Sequence, residues 1–195
     1  YKRQPLHLLN KGERKLHPSV SITENIKDGI SANFNADGFI KPDKINMISD
    51  GKFSESLTSP RSSLEYSVPH NASGTAEYPY SIDMNAGSVS DDSILSTINN
   101  GLYISNLWYL NFSDRNNGRM TGLTRFGCFI IENGKLTAPI NTMRFDDSVY
   151  SMLGENLIGF TSKRELLIDS GTYEERSTSS ARLPGALVNN FKMTL

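Results

Sequence analysis

Apolar and polar positions along this chain change period several times, and most of the changes point to strands. Val20-Ser-Ile-Thr alternates apolar and polar residues, the period of a half-buried strand. Ile45-Asn-Met-Ile-Ser-Asp-Gly-Lys-Phe and Phe129-Ile-Ile-Glu-Asn-Gly-Lys-Leu each set Asp-Gly or Asn-Gly between apolar runs. Such pairs tolerate the positive φ angles of a primed turn, so both segments read as hairpins. Their glycines, Gly51 and Gly134, lie 83 residues apart. The shared design fits either an internal duplication or convergence on one turn chemistry. Leu102–Phe112, Met120–Arg125 and Gly127–Ile131 read as further strands, with a turn at Asn116-Asn117-Gly118.

Helical signals are few. Ile94, Leu95 and Ile98 share one helical face, with Ser90 or Asp91 placed to cap the helix and Gly101 to end it. Asp146 or Asp147 is placed to cap a second helix over Ser148–Leu153, stopped at Gly154. Residues 1–20 read as an extended arm carrying Leu6, Leu8, Leu9 and Leu16. Residues 54–92 and 169–182 are polar and read as long loops, and Leu183–Leu195 as an edge or closing strand. The sum is a sheet-dominated α+β fold: a mainly antiparallel β domain with about two short helices, spanning 1–195 as one domain.

Composition narrows the function. Lys and Arg total 20 against 21 Asp and Glu, for a net charge of −1, and no basic run interleaves with aromatics. That balance argues against direct nucleic-acid binding. No apolar run approaches the roughly 18 to 20 residues of a membrane helix, so no membrane partner is expected. The single cysteine, Cys128, cannot form an intramolecular disulfide or, unaided, a zinc site. It sits between Gly127 and Phe129 in a strand and reads as a small packed core residue.

The densest motif runs from Gly101 to Phe145. It contains Gly101-Leu102-Tyr103, Leu107-Trp108-Tyr109, Thr121-Gly122-Leu123-Thr124-Arg125, Ile131-Glu132-Asn133-Gly134-Lys135, Pro139 and Met143-Arg144-Phe145. In this order the elements closely resemble the C-terminal domain of the TldD/PmbA family, the "modulator of DNA gyrase" or U62 peptidases. Asn35-Ala-Asp-Gly38, Ile48–Lys52, Ser73–Ala76 and Leu183–Val188 fit the same family, so the resemblance covers essentially the whole chain. It implies an α/β N-terminal domain that this chain does not include, and hence a fragment of a longer protein. With one cysteine and this resemblance, a cytoplasmic location is expected.

Catalytic members of that family resemble zinc metallopeptidases, whose metal is held by two helical histidines and a cysteine near the C-terminus. Such a site needs three protein ligands and an open position for water. This chain has only His7, His17 and His70, none in an HExxH or HExxxH array, and no cysteine near its C-terminus unless a donor such as Glu174 replaces it. No catalytic or metal residue can therefore be assigned, and no cofactor is expected in this chain. Zinc would belong to a catalytic partner or an upstream domain. The resemblance leaves three readings. The first is a non-metal subunit similar to PmbA (TldE), working with a TldD-like catalytic subunit or as a homodimer to degrade or mature unfolded peptides. The second is the C-terminal part of an active zinc metallopeptidase whose HExxxH motif lies upstream of residue 1. The third is a non-catalytic peptide-binding module.

Individual residues have a bland and a sharp reading. Arg125 and Arg144 can each lock the domain by pairing with carboxylates or carbonyls. Alternatively, Arg125 with Thr121 and Thr124 lines a cleft and binds a peptide substrate. Trp108 is expected in the core or a subunit interface with Tyr109 on the opposite face. Trp108, Phe112 and Phe160 are the interface candidates. An extended peptide would bind such a sheet by strand addition.

Overall fold

The computed structural model describes residues 5–173 and 176–194. The chain forms two compact units: one from residues up to His17, Gly87–Lys163 and Gly185 onward, the other from Pro18–Ala86 and Arg164–Pro184. Both are sheet-rich and mainly antiparallel, the fold class expected from the alternating pattern.

In the Pro18–Ala86 unit, β1 (Ile22–Asn25) pairs antiparallel with β2 (Lys44–Ser49) and with β4 (Ser81–Met84). β2 turns into β3 (Lys52–Phe53) through Asp50 at φ 49° and Gly51 at φ 73°. Both angles are positive, so the Asp-Gly signal produces the primed turn it predicts. The sheet order is β3-β2-β1-β4-β10-β9, with β10 parallel to β4 and the last two strands entering through residues 180–184 and 164–168. Val20, Ile45, Ile48 and Met84 are buried in this unit. Glu24 is buried with them because its two carboxylate oxygens accept from the Tyr80 and Ser81 amides, each at 3.0 Å.

Residues 54–92 are not one loop. They contain α2 (Pro60–Tyr66) and the interior strand β4. α2 is defined by its ends: Ser59 Oγ accepts from Ser62 N at 3.1 Å, Pro60 occupies the first turn, and Ser67 closes the helix at φ 55°. It buries no residue, and Leu64 is 87% exposed, so it left no apolar periodicity to read.

The other unit opens with a single helical turn, α1 (His7–Asn10), where an extended arm was expected. Tyr150 Oη accepts from Leu9 N and donates to Pro5 O, tying this turn down. A 3₁₀ turn at Asp91–Ser93 precedes α3 (Ile94–Ile98). Neither Ser90 nor Asp91 caps this turn with its side chain; Asp91 instead pairs with Lys163 Nζ at 2.7 Å. Asn99 at φ 57°, not Gly101, ends the helix, and Gly101 opens a strand.

That strand, β5 (Gly101–Asp114), pairs along its length with β6 (Arg119–Glu132). The two expected strands Met120–Arg125 and Gly127–Ile131 are one continuous strand. β6 turns through Asn133 (φ 51°) and Gly134 (φ 71°) into β7 (Lys135–Pro139), the second primed turn. β8 (Arg144–Ser148) pairs with the start of β6, and β11 (Met193–Thr194) completes the order β11-β8-β6-β5. β9 (Leu157–Ile168) and β10 (Ser180–Val188) follow β8 in the chain.

Three expectations fail in the C-terminal half. Asp146 and Asp147 cap no helix, because both lie in β8. Asp146 pairs with Arg119, and the fully buried Asp147 accepts from Ser148 N at 2.7 Å and from Lys192 N at 3.1 Å. The helical segment itself is present over residues 149–155, π-type from Ser151 to Glu155, and its backbone leaves helical geometry at Gly154, where the stop was expected. The polar stretch 169–182 gives up Ser180–Arg182 to β10, which lies between β4 and β9 rather than at an edge; the edge strand near the C-terminus is β11.

Candidate functional site on the outward face of β6

Strand alternation divides β6 between two faces. Gly122 and Thr124 are buried, while Thr121, Leu123 and Arg125 are part-exposed. The inner face is held by close contact at Gly122. A Cβ there would come within 2.8 Å of both the Phe145 ring and the Trp108 carbonyl. Phe145, 1% exposed, stacks in turn against Phe191 at 5.1 Å. A one-residue slip would turn Arg125 into this core and expel Thr124, so packing fixes which side chains point outward.

Neighbouring strands add to the outward face. Leu123 lies between Trp108 of β5 and Arg144 of β8, Thr121 is opposite Asp146, and Asn106 is opposite Arg125. Arg144 Nε donates to Thr121 Oγ1 at 3.2 Å, and that hydroxyl donates to the Phe145 carbonyl at 2.8 Å. At the end of the same face, Arg119 binds Asp146 Oδ1 through Nη2 at 2.6 Å and Nε at 3.0 Å. Arg119 is therefore neutralised.

Arg125 is different. Its guanidinium stands 5.7 Å from the centre of the Tyr109 ring, and its Nε is shielded from solvent without a hydrogen-bond partner. Among the described residues, neither Arg125 nor Arg144 forms an ion pair with a carboxylate. The Arg125 backbone is clamped, since its carbonyl accepts from Ser105 Oγ at 3.1 Å and Cys128 Sγ at 3.3 Å. Around it the ladder slips register, between Ile104 and Asn106 and between Trp108 and Asn111. Tyr109 (φ 51°) and Phe126 (φ 63°) sit in the left-handed region, a strain of about 1 kcal/mol or more each for such residues.

These slips explain where the aromatic side chains go. The positive φ at Tyr109 breaks strand alternation, so its ring meets Trp108 edge-on at 6.2 Å instead of lying on the opposite face. Trp108 is 48% exposed, which overturns a core position for it, and Tyr109 is 68% exposed. Phe160, proposed for an interface, is 1% exposed and belongs to the core. Phe112 is half-buried, with the Arg115 guanidinium 5.0 Å from its ring centre.

Of the three residues grouped as substrate-binding, Thr121 and Arg125 share the outward face of β6. Thr124 is 0% exposed, and its Oγ1 accepts from Met143 N at 2.9 Å. The spacing carried that signal: Thr121 and Arg125 are four apart on a strand, whereas Thr124 is an odd number from both. Arg144 joins them from β8 instead of preceding a helix.

The donor chemistry does not fit a zinc centre. Cys128 is 3% exposed, as expected of a core residue, and its thiol is engaged with the Arg125 carbonyl. His70 Nδ1 accepts from Ala72 N at 3.2 Å, and its ring packs edge-on against Phe39 at 5.3 Å. Among the described residues, no three His, Cys, Asp or Glu side chains gather to hold a metal; Glu174 lies outside them. Also among the described residues, no helix is long and apolar enough to cross a membrane.

Two mainly antiparallel sheets with a few short helices define a sheet-dominated α+β domain, with the motif of residues 101–145 supplying β5, β6, β7 and the start of β8. The chain belongs to the PmbA/TldA metallopeptidase C-terminal domain family, which matches residues 2–195. The fold recurs in solved structures. One is a candidate modulator of a DNA gyrase from Thermotoga maritima MSB8, with TM-score 0.78 and 14% identity over 99% of this chain and 43% of that one. Another is TldE from Thermococcus kodakarensis, with TM-score 0.77 and 14% identity over 100% of this chain and 46% of that one. A third is a candidate modulator of DNA gyrase from Bacteroides thetaiotaomicron VPI-5482, with TM-score 0.72 and 19% identity over 98% and 39%. This chain thus spans less than half the length of each. No curated protein matches the chain significantly in sequence.

Proposed function

We propose that this domain belongs to the non-metal subunit of a cytoplasmic, heterodimeric TldD/PmbA-type peptidase, and that it presents extended peptide to a zinc-bearing, TldD-like subunit. The observation that carries the reading is a metallopeptidase-family domain whose only thiol is buried and spent on a carbonyl. The likeness to a TldE supports the same branch. Thr121 and Arg125 are the substrate-contacting residues in this reading, with Arg144 beside them. Among the described residues the outer side of β5 is unpaired within its sheet, which offers an extended chain main-chain donors and acceptors by strand addition. Binding of that kind recognises backbone and accepts many sequences.

The test is zinc content and peptide hydrolysis of the full-length gene product, purified without a metal-affinity tag. No zinc and no hydrolysis alone, with hydrolysis appearing on addition of an HExxxH-bearing subunit, is the expected result. Near one zinc per chain with hydrolysis by the isolated protein would overturn the reading.

A further inference from the structure

We infer that Arg125 and Arg144 form a carboxylate-receiving subsite on the outward face of β6 and β8, so that the bound peptide is preferred when it carries a carboxylate. The inference rests on the peptide-binding reading and adds the chemistry that would select among peptides.

Four observations converge on it. Both arginines lie in one sheet on one face, with Leu123 directly opposite Arg144 and Arg125 two residues further along β6. In that diagonal relation the Cβ atoms are about 7 Å apart, so that side chains of this length can both reach one carboxylate. Neither is neutralised by a carboxylate among the described residues, although Arg119 on the same face is. The guanidinium groups are also held in place, Arg125 by the Tyr109 ring and Arg144 by Thr121 Oγ1. Finally, strained backbone flanks Arg125 at Phe126 and supports its platform at Tyr109. Held, uncompensated guanidinium forks match a planar carboxylate better than a point charge does. Trp108 and Tyr109, both exposed, supply the apolar surface for the residue next to the charge.

The carboxylate can come from the peptide C-terminus or from an acidic side chain, and the experiment separates them. Three fluorescein-labelled peptides of one extended neutral sequence are titrated with full-length protein and read by fluorescence anisotropy. One ends in a free carboxylate, one in an amide, and one in an amide with a single internal glutamate. The expected result is that at least one carboxylate-bearing peptide binds about tenfold more tightly than the neutral amide. Arg125→Gln and Arg144→Gln should each abolish that difference by weakening the carboxylate-bearing peptide more than the neutral amide, while Arg61→Gln on α2, which removes the same charge elsewhere, should preserve it. Arg144 is exposed, so its variant reports even if Arg125→Gln folds poorly.

Equal affinity of all three peptides overturns the subsite while leaving peptide binding intact. Loss of affinity for the neutral amide in either variant to the same degree also overturns it, since the effect would then be structural. Binding of none of the peptides overturns both the subsite and the reading beneath it. Arginine substitutions that change only the sedimentation of the protein would reassign the face to a second copy of the chain and overturn the subsite.

Discussion

Two groups of arginines in this molecule obey opposite rules. In the Pro18–Ala86 and Arg164–Pro184 unit, Arg164 and Arg182 both converge on Asp83, whose side chain is only 14% exposed. Asp83 also accepts from Asn25 Nδ2 at 3.0 Å, and the arginines spend further donors on the Met84 and Asp28 carbonyls. In the other unit, Arg125 and Arg144 stand on one sheet face, and among the described residues neither is ion-paired to a carboxylate; Asp146 on that face is taken by Arg119. The first group joins strands and neutralises charge. The second leaves charge available at a place where the backbone is also strained. A cation that is positioned but not paired is better suited to an external anion than to stability.

The sharpest way to break the contrast is Asp83→Ala. It strands two guanidinium groups and an amide at once, so stability should fall by about 2 kcal/mol, read as a lower urea midpoint at unchanged slope. Next comes Asp146→Ala, which deprives the paired Arg119 of its partner in the same sheet as Arg125. With Arg119 about one-third exposed, about 1 kcal/mol is expected. Arg125→Gln and Arg144→Gln should change stability by no more than about 0.5 kcal/mol, because no ion pair is lost. A loss at Arg125 as large as that at Asp83 would erase the distinction.

The smallest effect concerns a carboxylate that serves a helix. Burial pushes the Glu77 carboxyl up, but hydrogen bonds from the Ser59 amide and the Ser62 and Ser59 side chains outweigh it, so its pKa lies below the ordinary 4.5. A folded-state value below the unfolded one contributes stability at neutral pH that is lost as pH falls through and below that ordinary value. The protection factors of the Ser59 and Ser62 amides, with the intrinsic acid slowing of exchange divided out, should therefore fall below that point in the native protein. In Glu77→Gln the acid-dependent step should disappear. Persistence of the step in the variant would assign it to another group.

Both primed-turn hairpins and much of the β5–β8 sheet were legible in the chain, and for definite reasons. The Asp50-Gly51 and Asn133-Gly134 turns are local chemistry, with positive φ at both positions of each. The burial of Cys128 followed from its place in an apolar strand. Elements without an apolar period escaped: α2 rests on the Ser59 cap and Glu77, and β4 gains its place from β1 and β10. Asp147 misled because an Asp before Ser-Val-Tyr reads as a cap, whereas its partner amide at Lys192 is 45 residues away.

The candidate site shows the same division. By itself the sequence determined the family, the sheet-dominated class, both hairpins and the alternation that puts Thr121 and Arg125 on one side of a strand. Those are consequences of backbone geometry over a few residues. Only the tertiary structure decided that Thr124 is enclosed, that Arg144 joins Arg125, and that Tyr109 lies beneath its guanidinium. Each depends on the pairing register of β5, β6 and β8, which is set by Phe145 packed over Gly122 and by two bulges, contacts between residues far apart in the chain.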